Sequence, residues 1–354
     1  MRLLLAQPRG FCAGVERAIN TVLTALEVFG PPVYVRKQIV HNESVVRALK
    51  VKGAVFVDEA DLVPMGATLI FSAHGVAPEV YAKAGGRALN VIDATCPLVT
   101  KVHIEAMRFA RASRPTIIVG HREHEEVVGT RGYASARTLV VSDVAEAEAV
   151  DLPAGSAPAV LTQTTFSLDD SHEIIEVLRR RFPDLVTPAR DDVCYATQNR
   201  QAAVREMVKS AEVILVVGAS NSSNSNRLRD IAIAAGVRAY LLEDLSQLRP
   251  DWLEGVSCAG ITSGASTPEH LVSELVHHLR EHNGATVEIV EVVREDVNFA
   301  LPTSLMRFKR QPLTALPEAR HSAEIGAKIQ ERYLPTSAEP QQPERPESRN
   351  SALL

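Results

Sequence analysis

Nowhere in the chain do two cysteines stand three positions apart. Without a C-x-x-C pair, the usual local zinc-binding pattern is excluded. No G-x-x-x-x-G-K-[ST] segment occurs, which excludes a nucleotide P-loop. No run approaches the roughly 18 apolar residues of a membrane span. The opening MRLLLAQPRG has only a brief apolar run that ends in Pro-Arg-Gly, so it does not read as a signal peptide. A formal charge of −5 leaves no global basic field for nucleic acid, and any anion site must be built locally. Cysteine itself is scarce, with four in 354 residues. In a chain read as lacking a signal segment, those four point to a reducing cytoplasm and to metal binding or catalysis before disulfides.

Three of the four share one local context. Pro8-Arg9-Gly10-Phe11-Cys12, Asp93-Ala94-Thr95-Cys96 and Asp192-Val193-Cys194 each precede an amphipathic helical pattern. Each thiol is therefore expected at or near a helix N-terminus, where free N–H groups and the helix dipole favour a thiolate. The gaps of 84 and 98 residues are about one small α/β unit each, which reads as three units around a shared site. Cys258, in the apolar run VSCAGIT, reads as an ordinary buried small residue. Three thiolates leave one position open on whatever they hold. Zinc with a water and a cubane iron–sulfur cluster both fit that donor set. The wide spacing leans towards the cluster.

Twelve short, mostly continuous apolar runs recur from Leu3 to Val292, separated in many places by helical patterns. Such runs suit strands buried on both faces of parallel sheets. The expectation is an α/β fold of three similar domains with mainly parallel sheets: 1–96, 97–193 and 194–300. Residues 301–354 form a C-terminal extension rich in Pro, Glu, Gln, Ser and Arg. It reads as largely disordered over 336–354, with one helix expected over 321–334.

In open α/β sheets, ligands bind beyond the C-terminal ends of strands. The residues just past each apolar run are therefore informative. His41, His74 and His124 stand at three such ends, with Glu125 and Glu126 beside the last. Thr164 and Thr165 come after AVLTQ, and the Ser/Asn run 220–226 comes after VILVVG. Ser222, Ser223 and Asn224 open a helical pattern and read as a phosphate cradle. Ser266 reads as an N-cap, with Glu269 at capping-box spacing. A bound polyanion is expected to hold the histidines protonated through charge-assisted hydrogen bonds. Beside that anion the Glu126 pKa should rise, which suits proton delivery. The residues alone thus describe a three-thiolate redox centre beside a phosphate pocket with a proton relay.

Eight collinear segments carry a closer likeness: PRGFCAGVERA, VRKQIVHNESVV, IFSAHGV, DATCPLVTKVH, TQTTFSLDD, DDVCYATQNRQ, NSSNSNRL and TSGASTPE. Over about residues 1–300 the chain resembles the 4-hydroxy-3-methylbut-2-enyl diphosphate reductase family. The resemblance implies a cloverleaf of three α/β domains around one [4Fe–4S] cluster per chain, with Cys12, Cys96 and Cys194 as ligands. It implies a diphosphate pocket of His41, His74, Ser222, Ser223, Asn224 and Ser266. It implies that His124 and Glu126 sit near the substrate hydroxyl, with Glu126 in the proton relay, and that Thr164 orients the substrate. The implied reaction removes an allylic hydroxyl as water and yields isopentenyl and dimethylallyl diphosphate, the last step of the methylerythritol phosphate pathway. Electrons would come from a ferredoxin or flavodoxin. The family usually reads H-P-E-V-E-G-T where this chain has His124-Glu125-Glu126-Val127-Val128-Gly129-Thr130. The extra carboxylate of Glu125 is expected to alter the loop and the acidity of Glu126. Two other readings stay open: a hydro-lyase that removes water without redox change, and an inactive relative that binds a phosphometabolite or senses iron–sulfur status.

Overall fold

The computed structural model describes residues 1–153 and 155–309. The first stretch gives β1 (Arg2–Gln7), α1 (Ala13–Phe29), β2 (Val33–Arg36), α2 (Glu43–Val51), β3 (Ala54–Val57), β4 (Thr68–Phe71), α3 (Pro78–Gly86) and β5 (Asn90–Asp93). Next come α4 (Pro97–Arg111), β6 (Thr116–Val119), α5 (Glu125–Tyr133), β7 (Thr138–Val141), α6 (Val144–Glu148), β8 (Ala159–Thr162) and α7 (Leu168–Arg181). The last stretch gives α8 (Tyr195–Met207), β9 (Val213–Val217), α9 (Ser223–Ala234), β10 (Arg238–Leu242), β11 (Cys258–Ser263), α10 (Glu269–Asn283), β12 (Thr286–Glu291) and α11 (Thr303–Lys309). All twelve apolar runs form strands.

The strands make three sheets, ordered β3-β2-β4-β5, β7-β6-β8 and β10-β9-β11-β1-β12. Every strand pair is parallel. The side-chain period of two explains the continuous apolar runs. Leu3, Leu5, Val213, Leu215 and Val217 pack in one core, while Leu4, Ala6, Ile214 and Val216 pack in another on the opposite face.

One strand departs from the expected sequential units. β1 pairs with β11 and β12, so residues 2–7 share a sheet with the last third of the chain. Four consecutive apolar residues covered on both faces suit a central strand better than an edge. Then α1 leaves that sheet. Its Val15, Ala18, Val22 and Ala25 join a core with Val33, Val35, Ile70 and Ile92 of the β2–β5 sheet. Cys12 therefore lies where the chain passes from one sheet to the next.

A second departure concerns the start of the C-terminal extension. α11 packs on α1, and its Leu305 is fully buried in the same core. The helix expected over 321–334 and the disorder expected over 336–354 lie outside the described residues. No helix among the described residues is long and apolar enough to cross a membrane.

Truncating a fully buried leucine removes its transfer free energy and leaves a cavity, so Leu305→Ala is expected to cost about 2–5 kcal/mol. Denaturant unfolding measures this. An unchanged midpoint would show that α11 does not contribute to the core.

Candidate functional site

Three equivalent hydrogen bonds build the centre of the molecule. The Cys12 N–H donates to Ala265 O at 3.2 Å, the Cys96 N–H to Ala73 O at 3.0 Å, and the Cys194 N–H to Thr164 O at 3.0 Å. Each carbonyl lies just past a strand, in a loop that carries a candidate substrate residue: Ser266, His74 or Thr164. Each cysteine is also the N-cap of its helix, namely Cys12 for α1, Cys96 for α4 and Cys194 for α8. All three are free thiols. They line one cavity with His41, His74, His124, Glu126, Thr164, Ser222, Ser223, Asn224 and Ser266, so every candidate site residue is brought to one place.

The thiols crowd α1 at Gly14. A Cβ there would lie 2.7 Å from Cys96 Sγ, which would have to shift, and in ordinary contact with Cys12 Sγ at 3.8 Å. Among the described residues, no three His, Cys, Asp or Glu side chains are gathered closely enough to hold a single metal ion.

The protonation of Cys96 and Cys194 differs from the dipole expectation. Burial pushes the Cys96 thiol up to about 12, and the charges of Cys12 and Cys194 add to this against N–H bonds from Leu98 and Val99. Burial, then the charge of Cys12, pushes Cys194 up to about 11 against a bond from Thr197. Desolvation outweighs the helix N-terminus, and the thiols repel each other as thiolates. Only a bound cationic group would make three adjacent thiolates favourable, and binding would release their protons.

The histidines form a second cluster. His41 and His74 stack with ring centroids 4.1 Å apart, and His124 stands edge-on at 5.4 and 5.8 Å from them. Burial pushes all three down: His124 to about 3, His74 well below its usual value, and His41 with partial compensation from Glu125. In the free chain they are neutral at pH 7, so the protonated state expected from the sequence needs the anion to be present. His124 is the N-cap of α5, and its Nδ1 accepts from the Glu126 N–H at 3.3 Å. That bond places the ring proton on Nε2.

Glu126 is 2% exposed. It accepts from the Thr164 N–H at 2.6 Å and the Thr164 hydroxyl at 2.8 Å. Burial pushes its carboxyl up to about 7, the Thr164 bonds pull it down, and the Asp192 charge adds to the rise. Thr164 thus holds the carboxylate with its N–H and Oγ1 and the Cys194 loop with its carbonyl. Ser222 caps α9 by accepting from the Ser225 N–H at 3.3 Å. Both amide atoms of Asn224 are buried without a partner, as suits a residue whose partner is a ligand. Ser266 is not an N-cap. α10 starts at Glu269 after Pro268, Glu269 bonds Arg9, and the Ser266 hydroxyl donates to His41 O at 2.9 Å. That bond ties the histidine loop to the third sheet. Cys258 opens β11, 4% exposed and away from the cavity.

The Glu125 substitution is met locally. Arg36 on β2 reaches Glu125 at 3.4 Å and Glu59 at 3.1 Å, so the extra charge is paired on the outer side of α5. Val128 is 44% exposed.

Three contributors lie inside the segments DDVCYATQNRQ, TQTTFSLDD and VRKQIVHNESVV, but sequence reasoning gave them no role. Arg200 is fully buried, donates to Gly10 O at 2.8 Å and Ala196 O at 2.9 Å, and pairs with Glu295 at 3.0 Å. It fastens the Cys12 loop to the Cys194 helix. Gln163 accepts from the His121 N–H and donates to Ser223 at 3.3 Å, while Gln38 accepts from Asn221 at 3.0 Å. Both glutamines also stand just past a strand, which was the further signal that could have found them.

Three free thiols, three buried histidines, the α9 N-terminus and the buried Glu126 carboxyl thus share one cavity at the meeting of the sheets. The family model described as LytB protein matches residues 3–280. A 4-hydroxy-3-methylbut-2-enyl diphosphate reductase of Acidothermus cellulolyticus is 54% identical over 317 residues, covering 88% of this chain and 93% of that protein. A protein of Bradyrhizobium diazoefficiens with the same name, numbered 2, is 52% identical, covering 86% and 99%. The solved structure of the E-1-hydroxy-2-methyl-but-2-enyl-4-diphosphate reductase from Plasmodium falciparum superposes with a TM-score of 0.85 at 37% identity, covering 87% of this chain and 98% of that one. The chain belongs to the LytB family.

Gly14→Ala tests the thiol geometry. The added Cβ must displace Cys96 Sγ, so iron bound after anaerobic reconstitution is expected to fall at least twofold while far-UV circular dichroism stays unchanged. Full iron content would show that the thiols do not crowd this glycine.

Proposed function

We propose that the chain is a 4-hydroxy-3-methylbut-2-enyl diphosphate reductase. It converts its substrate, two electrons and two protons into isopentenyl or dimethylallyl diphosphate and water, closing the methylerythritol phosphate route to isoprenoids. The observation that carries this reading is the single cavity shared by three free cysteines, three histidines, Glu126 and the α9 N-terminus. Cys12, Cys96 and Cys194 would hold one [4Fe–4S] cluster. The donor set is soft, and the thiols are free and line one cavity. When bound, that cluster supplies electrons and, at its one iron without a cysteine, a Lewis acid.

The chain's own residues do the rest. The N–H groups opening α9, with Ser222, Ser223 and Asn224, receive the diphosphate. His41 and His74 face it from the first unit, and Ser266 holds the His41 backbone in register. The histidines are neutral beforehand, so the arriving anion draws protons onto them and strengthens its own binding. His124 presents Nε2–H towards the substrate hydroxyl. Burial pushes the Glu126 carboxyl up to about 7, so it keeps its proton to a higher pH than an exposed carboxyl does. It donates that proton to the departing hydroxyl, and Thr164 Oγ1 keeps the carboxyl aimed. The second proton goes to the allylic carbon. A ferredoxin or flavodoxin is the electron source in this reading, and the cytoplasm its compartment.

The testing experiment is product formation. Protein purified anaerobically receives a low-potential viologen and the hydroxylated five-carbon allylic diphosphate. Isopentenyl and dimethylallyl diphosphate are the expected products. Their absence with a full cluster would favour the inactive-relative reading, and turnover without reductant would favour the hydro-lyase. Glu126→Gln keeps the cluster's visible absorption and is expected to lower turnover about 100- to 10,000-fold. A raised acid works while protonated, so kcat falls as pH rises through about 7. The variant lacks that limb, and the same pH profile in both proteins would remove Glu126 from the relay.

A further inference from the structure

The proposed reaction consumes two electrons per turnover, and they must reach the thiol centre across the protein surface. We propose that the exposed face of α4, with the cleft that opens beside Cys96, is the docking face for an acidic one-electron carrier protein. This inference rests on the reductase reading. Two reduced carriers each give up one electron, and together with one substrate and two protons they yield one product, one water and two oxidised carriers.

Position favours this face. A cleft of about 550 Å³ is lined by Thr95 and Pro97, the residues on either side of Cys96. α4 starts at that cysteine, and its outer row of Thr100, Ile104, Arg108 and Arg111 is exposed. A partner seated on this row lies against the backbone of a candidate cluster ligand.

Charge favours it independently. Arg17 and Arg108 line the cleft against Asp93 and Glu105, Lys101 there is paired with Asp192 at 3.2 Å, and Arg108 with Arg111 one turn on makes the exposed cationic row. Arg17 Nη1 donates to Thr95 O at 3.0 Å, one residue from Cys96. Asp93 is turned inward, accepting from the Thr95 N–H at 2.9 Å and from Tyr81 at 2.8 Å. The whole chain carries −5, so an acidic protein is repelled in general and drawn only to a local positive face. Ile104, 43% exposed, supplies an apolar contact within the cationic row.

The competing surface fails on charge. A cleft of about 480 Å³ adjoins Cys12 through Phe11 and Ala13. Its Glu269 is paired with Arg9, its Glu295 with Arg200 and its Arg294 with Glu291, which leaves Glu16 and Asp296 and no exposed cationic row for an acidic partner.

The test pairs holoenzyme with a strongly acidic low-potential ferredoxin. The double variant R108E/R111E is expected to raise the ferredoxin Kd and its KM at least tenfold. It should also flatten the salt dependence of binding between 50 and 200 mM. Viologen-driven turnover should stay within twofold, which shows that the centre is intact. R294E, on the other cleft, should leave the ferredoxin Kd unchanged. Unchanged Kd and KM in R108E/R111E, or a tenfold loss in R294E, would overturn the docking face. Failure of the unaltered chain to form product with viologen would instead sink the reductase reading, while the Kd comparison would still decide where the carrier binds.

Discussion

Three backbone hydrogen bonds hold this molecule's chemistry together: Cys12 to Ala265, Cys96 to Ala73 and Cys194 to Thr164. Each joins the residue that opens a helix to the loop that ends a strand. A peptide bond pair of this kind costs little sequence information, because any residue supplies the N–H and the carbonyl. It nevertheless fixes each thiol relative to a candidate substrate contact only one residue away or at the carbonyl's own side chain. The swap of β1 into the third sheet and the Arg200 clamp serve the same end. They lock the Cys12 loop to the Cys194 helix, so that separate sheets present their cysteines to one space.

The electrostatics of that space run in one direction. Burial raises the acids, Glu126, Cys96 and Cys194, and lowers the bases, His41, His74 and His124. Left alone, the site is neutral and apolar in character. In the proposed reading each charged guest brings the counter-charge that its hosts lack: a cationic cluster core for the thiols, an anionic diphosphate for the histidines. Burial would thereby make binding and proton movement parts of the same event, and it is also what pushes the Glu126 carboxyl up to about 7.

Much of this was legible in the chain. Twelve apolar runs became twelve parallel strands because doubly buried strands need no polar alternation. The cysteine contexts became three helix N-caps, and strand-end positions brought the histidines, Glu126, Thr164 and the Ser/Asn loop to one cavity. The rest stayed hidden for physical reasons. Sheet membership of β1 depends on pairing between residues some 250 apart, which no local pattern encodes. The protonation of Cys96 and Cys194 ran against the dipole because a dipole is visible in sequence and desolvation is not, while the histidines were expected to be protonated only beside a bound anion. Ser266 mimicked a capping box, yet Pro268 carries the cap and frees Ser266 to hold His41. Arg200 sits among ordinary helical residues, and only its full burial shows what it does.

Everything proposed for this site depends on Cys12, Cys96 and Cys194 together holding a cluster with one iron left open. Mössbauer spectroscopy of the iron-57-labelled, anaerobically reconstituted protein tests this most directly. About four irons and four sulfides per chain are expected, with one iron spectroscopically distinct from three and shifted when the allylic diphosphate is added. One zinc per chain, or four equivalent irons indifferent to the diphosphate, would contradict it.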